Sequence, residues 1–169
     1  MGSYPAAKTL FKTSLTEISA SDEEGVGNLR FDGQNIYRYV QNKHTALTVG
    51  QICFYLDTNT VDFLKKVYDG LTGDLSYMAG VVLAASFTAE YFGWIQVHGI
   101  NTQVAALATS GDTAIVVGDA LIGANGSANA LHGTATGTAP LHVRRIIALE
   151  AVATSTTVAT AIHGLVQCL

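Results

Sequence analysis

Charge is scarce in this chain. Asp, Glu, Lys and Arg together make up 13% of its 169 residues, about half the share usual in a soluble domain. The hydrophobic fraction, by contrast, is 49%, so the composition favours extensive burial in one domain of sufficient size to hold its own core. The formal net charge is −4, and no run of Lys and Arg exceeds a dipeptide. That pattern excludes a protein built to neutralise a nucleic-acid backbone. Cysteine is also rare: Cys53 and Cys168 lie far apart with no Cys or His at ligand spacing, which excludes a zinc site and a disulfide framework and leaves buried, reduced thiols.

Targeting signals are missing as well. The start MGSYPAAKTL lacks the basic segment and apolar core of a secretory leader, and Ala6 stands where a myristoylation signal needs Ser or Thr. The longest apolar stretch, Met78 to Ile95, is interrupted by Ser86, Thr88, Glu90 and Gly93, so no membrane span is expected. The expectation is a soluble chain made in a cytoplasm.

Reactive constellations are equally scarce. Gly126-Ser127 lacks the frame of a strained nucleophile elbow. Gly25-Val26-Gly27 lacks the third glycine of a dinucleotide fingerprint. His44, His98, His132, His142 and His163 show no metal-ligand spacing. Asp22, Glu23 and Glu24 read as a solvated run, and Asp112 and Asp119 sit in separate turns, so no paired acid and base is visible. Asn125-Gly126-Ser127 matches a glycosylation sequon but, without a leader, reads as a turn. No enzyme activity, catalytic residue, cofactor or metal is expected.

What the chain does have is apolar alternation. Ala79 to Gly99, AGVVLAASFTAEYFGWIQVHG, reads as two apolar runs joined by Thr88-Ala89-Glu90-Tyr91. In the first run both faces are apolar or small, as in a strand covered on both sides. The second alternates Ile95 and Val97 with Trp94, Gln96 and His98, one dry face and one mixed. A buried β-hairpin follows. Tyr91, Phe92 and Trp94 also offer the ring faces that sugar stacking needs, with Gln96 or His98 as a polar neighbour, although core or hairpin packing is the stronger reading of them.

Before this hairpin, residues 1–27 read as an extended N-terminal arm, either frayed or docked on a partner through Leu10, Phe11 and Ile18. A single β-rich domain then covers 28–169. Phe31 to Asn35 forms a turn, Ile36 to Val40 a strand, and the residues after Gly50 another. Val61 to Asp69 fits a strand or one short helix. After Gly99 short strands at 103–108, 114–117 and 120–122 recur about every ten residues, a rhythm of sandwiches and barrels. Gly123 to Thr138 reads as a loop or a packed small-residue segment. Leu141 to Val152 gives one or two strands, and Ala161 to Leu169 a closing strand paired inside a sheet or at an interface. No lysine follows Lys66, which suggests that other subunits cover part of this half.

The segments Ala79-Gly80-Val81-Val82-Leu83 and Tyr91-Phe92-Gly93-Trp94-Ile95-Gln96-Val97-His98-Gly99, with Ser110-Gly111-Asp112 and Ile146-Ile147-Ala148-Leu149-Glu150-Ala151 after them, resemble small structural proteins of tailed bacteriophages. These are the capsid decoration (cement) proteins and related virion proteins. The likeness covers roughly Thr45 to Leu169 and carries over no catalytic or ligand residue. It implies an all-β, antiparallel sandwich or barrel-like domain, a homotrimer on the outer capsid surface that binds the major capsid protein and stabilises the shell. The alternative is a carbohydrate-binding or connector module of a tail or fibre. Burial of Trp94 is expected in the first case and exposure in the second.

Overall fold

The computed structural model describes residues 11–43, 45–55, 66–68, 78–108, 114–124, 127–132, 145–153 and 159–168. All regular structure in these residues is β. The strands are β1 (Ile18–Ser19), β2 (Leu29–Asp32), β3 (Asn35–Asn42), β4 (Ile52–Tyr55), β5 (Lys66–Tyr68), β6 (Met78–Val82), β7 (Phe92–Leu107), β8 (Ala120–Ala124), β9 (Ser127–His132), β10 (Arg145–Ala148) and β11 (Thr160–Gln167). The expected all-β class is what forms.

The expected hairpin is present in altered form. β6 and β7 pair antiparallel, Val81 opposite Gln96 and Val82 opposite Ile95, and every residue of β6 is buried. However, β6 ends at Val82. The chain then bends, and Phe87 forms an isolated bridge with Leu47 before the turn at Thr88 to Tyr91, where Glu90 takes a φ of 67°. The second strand does not stop at Gly99 either; β7 runs for 16 residues. Gly99 has a φ of +98°, and a Cβ there would lie 2.0 Å from Asn35 Oδ1. The glycine therefore allows an irregularity within the strand and a close approach of β3, where the sequence suggested an end.

That length lets β7 serve two rings. Its first half pairs with β3 on one side and β6 on the other, closing the circuit β3-β5-β4-β6-β7. Its second half closes β7-β9-β8-β10-β11 in the same way. The two circuits have one topology. In each, the first strand runs parallel to the third, and every other neighbouring pair is antiparallel. The details repeat too. Gly50 N–H donates to Val82 O and Val82 N–H to Gln51 O; Gly118 N–H donates to Ala148 O and Ala148 N–H to Asp119 O. Leu47 bridges Phe87 as Ile115 bridges Val152. In both turns a side chain caps the turn from within: Gln51 Oε1 accepts from Thr48 N–H and Asp119 Oδ2 from Val116 N–H, each at 2.8 Å. The sequence trace of this repeat is Leu47-Thr48-Val49-Gly50-Gln51-Ile52 against Ile115-Val116-Val117-Gly118-Asp119-Ala120.

One apolar cluster fills both rings, from Val40, Ile52, Phe54 and Ile95 in the first to Leu121, Ile146, Ile162 and Val166 in the second. Several other sequence expectations are adjusted. The supposed strand at 114–117 is the bridge and turn just described. Within the small-residue segment 123–138 the described part continues β8 and forms β9. In the ambiguous 61–69 segment, residues 66–68 form a strand. The closing strand lies between β10 and β7, inside the sheet.

The two turn glycines give a direct test of the repeat. Gly50 and Gly118 share a positive φ, +83° and +96°, but a Cβ on Gly50 would meet Gln103 O at 1.9 Å whereas Gly118 has nothing within 4 Å. Gly118→Ala is expected to cost about 1–2 kcal/mol from left-handed strain alone. Gly50→Ala is expected to cost clearly more. Urea unfolding of both variants checks this, and equal losses would contradict the contact.

Candidate functional site

The most elaborated surface is where the N-terminal arm crosses the first ring. Here Trp94, Tyr39 and Tyr37 form a second buried cluster, with Phe11, Leu15, Val26, Leu83 and Phe92 packed on it. Strand alternation explains the placement. Trp94 and Tyr39 are direct cross-strand partners on β7 and β3, so their rings share the outer face, with centroids 5.1 Å apart. Left bare, this would be an aromatic patch on the outside of a barrel.

The arm covers it through specific contacts. Phe11 sets its ring edge-to-face on Trp94 at 5.1 Å. The Trp94 indole N–H donates to Thr13 Oγ1 at 2.9 Å. Thr13 in turn gives its hydroxyl and backbone N–H to Glu24 Oε1, at 2.8 and 2.6 Å. Arg30 lies over the Phe11 ring and donates to Thr13 O. Further along, Ile18 and Ser19 pair with Gly93 and Phe92 as β1. Burial pushes the Tyr39 phenol up to about 12, with a smaller push from the nearby carboxylates of Asp22, Glu24 and Glu23, so it stays protonated.

The anchors proposed from sequence are thus located. Phe11 and Ile18 are both half-buried against the chain itself, Phe11 on Trp94 and Ile18 beside Gly93. Leu10 lies outside the described residues. The acidic run is solvated at Asp22 and Glu23, as expected, but Glu24 fastens Thr13, and Asp22 accepts from the N–H groups of Gly25 and Val26, because the turn after the arm leaves those donors without strand partners. Sequence reasoning missed this use of Thr13 and Glu24, which sit 11 residues apart in no recognisable pattern.

The sugar platform does not form as a unit. Trp94 is 1% exposed while Tyr91 is 37% exposed, so the tryptophan has no free face to stack on a ring. At the junction of the two rings a groove of about 300 Å³ is lined by Asn35, Tyr37, Gln96, Ile100, Asn101 and Gln103, among others. Its buried amides satisfy one another. Gln96 Nε2 donates to the carbonyls of His98 and Ile100, and Asn101 Nδ2 donates to Gln96 Oε1. These bonds hold β7 through its irregularity at Gly99.

Among the described residues no group of three or more His, Cys, Asp or Glu could hold a metal ion. His44, His142 and the Asn125-Gly126 part of the sequon lie outside them. Cys53 and Cys168 are buried; burial pushes the Cys53 thiol up. No described helix is long and apolar enough to cross a membrane.

Comparison with known proteins adds little. No family model matches the chain, and no curated protein does. Among solved structures, the chain is similar to the crystal structure of head fiber gp8.5 N base in bacteriophage phi29, with 12% identity, a TM-score of 0.47, and coverage of 79% of this chain and 95% of that one. At that identity and score the likeness assigns no role.

A last polar pair sits on the second ring. Glu150 accepts from the backbone N–H of His163 at 3.0 Å and contacts its ring Nδ1 at 2.5 Å. Those two contacts, the backbone one first, lower the Glu150 carboxyl below the ordinary glutamate range. A lowered carboxyl contributes stability that is present above its unfolded pKa and is lost as pH falls through the folded value. Proton-resolved NMR titration should find Glu150 titrating below a model glutamate, and His163→Ala should bring it partway back.

The arm yields a second expectation. Thr13→Ala leaves the buried indole N–H unpaired and is expected to cost about 1–3 kcal/mol. Phe11→Ala, which removes a half-buried ring, should cost about 2 kcal/mol. Trp94 is the chain's single tryptophan, so its emission reports both: a shift to longer wavelength in Phe11→Ala is expected, and unchanged emission would mean the arm does not shield it.

Proposed function

We propose that this chain is a structural protein of a phage particle that binds the outer surface of the capsid and bridges major capsid subunits. The reading rests on the sequence resemblance together with one structural observation: several large apolar side chains are left to solvent on turns and strand ends. Phe31 is 67% exposed at the tip of the β2–β3 hairpin, and Val116 and Val117 are 54% and 65% exposed on the turn before β8. Such residues suit docking on another protein surface. The polar side chains described at the arm seat and in the junction groove, by contrast, are engaged in holding the chain together. Burial of Trp94 favours this reading over a sugar-binding module that uses that ring.

In this account the arm is internal fastening, and the contact with the shell is made by the exposed tips. Co-sedimentation of the purified chain with expanded capsids that lack it is the test. The intact chain should pellet with the capsids. Phe31→Ser combined with Val117→Ser should weaken binding at least about tenfold, as the loss of a hot spot would, without lowering the unfolding midpoint. Absence of binding, or an electron microscopy image placing the chain on the tail, would overturn the capsid reading.

A further inference from the structure

The groove of about 300 Å³ at the junction of the two rings has no charged side chain in its wall. Two of its polar residues are spent on the fold, since Asn101 bonds to Gln96 and Gln96 to the carbonyls of His98 and Ile100. Others are not. The Tyr37 hydroxyl, the side-chain N–H groups of Asn35, the Thr102 hydroxyl and the Gln103 side-chain amide all belong to lining residues and bond to no described group. Tyr37 is the most telling of these. It is 7% exposed and its ring belongs to the aromatic cluster under the arm, a setting in which a phenol ordinarily has a partner for its hydroxyl.

The ring topology does not ask for polarity at this place. Val82 and Ala148 hold equivalent positions in the two rings. Gln96, opposite Val81, therefore corresponds to Leu165, opposite Ile147. Tyr37, opposite Gln96, corresponds to Ile100, opposite Leu165. The second ring closes with leucine and isoleucine where the first carries an amide and a phenol on the wall of a groove.

The chemistry of the wall narrows what can occupy it. An acid, a phosphate or an amine would lose hydration there and meet no lining counter-charge. A purely apolar ligand would cover the free hydroxyls and amides and leave them unpaired. A peptide strand would need an open backbone edge, but β3 and β7 pair with each other at Tyr37 and Gln96. The groups on offer suit a neutral molecule that carries many hydroxyls and small C–H faces. Apolar surface for such faces comes from Val49, Leu83 and Ile100, of which Val49 is 37% and Ile100 52% exposed.

We propose that the junction groove binds a neutral saccharide, at a place separate from Tyr91, Phe92 and Trp94. The side-chain amides of Asn35 and Gln103 offer donors and acceptors to neighbouring sugar hydroxyls, and the hydroxyls of Tyr37 and Thr102 both donate and accept. The volume lies at the lower end for small-molecule sites, so the unit held is a mono- or disaccharide. This site does not depend on the capsid reading.

Saturation-transfer NMR of the full chain with glucose, galactose, mannose, N-acetylglucosamine, maltose and glucuronate tests the proposal. At least one of the five neutral sugars should bind, with a dissociation constant on the order of 1–10 mM, and glucuronate should bind more weakly than that sugar. Tyr37→Phe, which removes only the hydroxyl, and Gln103→Ala, at an exposed residue, should each weaken binding about fivefold or more. Both variants lose groups that bond to nothing described in the chain, so the urea unfolding midpoint should stay where it is. Four results would overturn the inference: no neutral sugar binding more tightly than about 50 mM, tighter binding of glucuronate, an affinity indifferent to both variants, or a lowered midpoint in Tyr37→Phe, which would assign that hydroxyl to the fold.

Discussion

A strand of 16 residues has more backbone than one small ring can pair, and this molecule is built on the surplus. β7 gives its first half to one five-stranded circuit and its second half to another, so neither ring can close without it. The hydrogen bonds of Gln96 and Asn101 across the irregular stretch at Gly99 keep the two halves in register. A break at that point would separate two barrels that share one apolar interior. Buried amides are costly unless all their partners are present, which makes this junction the place where the fold is least tolerant of change.

The arm follows from the same geometry. Two rings of one topology have equivalent gaps where the fourth strand bends away, and the chain has filled the first with β1 and with Phe11 on Trp94. The aromatic pair of Trp94 and Tyr39 on the first ring and the small alanines on the second are then two responses to the same gap. One is a patch covered from within, and the other leaves Ala151, Ala153 and Ala161 exposed. The Glu24–Thr13–Trp94 chain of hydrogen bonds fixes which segment covers the first.

Much of the strand content was legible from alternation: β3, β4, β6, the start of β7 and β11 all lie where apolar runs of period two were read. The continuity of β7 was not, because Gly99 followed by Ile100, Asn101 and Thr102 looks like a turn, and only the approach of Asn35 shows why a glycine is needed inside the strand. β9 was hidden for a related reason. Its glycine and alanine neighbours carry no alternation to read. The repeat escaped as well, since its sequence trace shrinks to a hydrophobic residue, a Val-Gly turn and a capping Gln or Asp. As for the site, Phe11 and Ile18 were read from their apolar character as anchors for a partner, and their packing within the chain was not foreseen. What they anchor to depends on Trp94 and Gly93, more than seventy positions away, and no local pattern carries that information.

Native-state hydrogen exchange along β7 tests the shared strand most directly. If the two rings depend on it as described, amides from Trp94 to Val97 and from Val104 to Ala106 should exchange with one common free energy, equal to that of global unfolding. If one group exchanges through a separate, lower-energy opening while the other stays protected, the rings are independent units and the account is wrong.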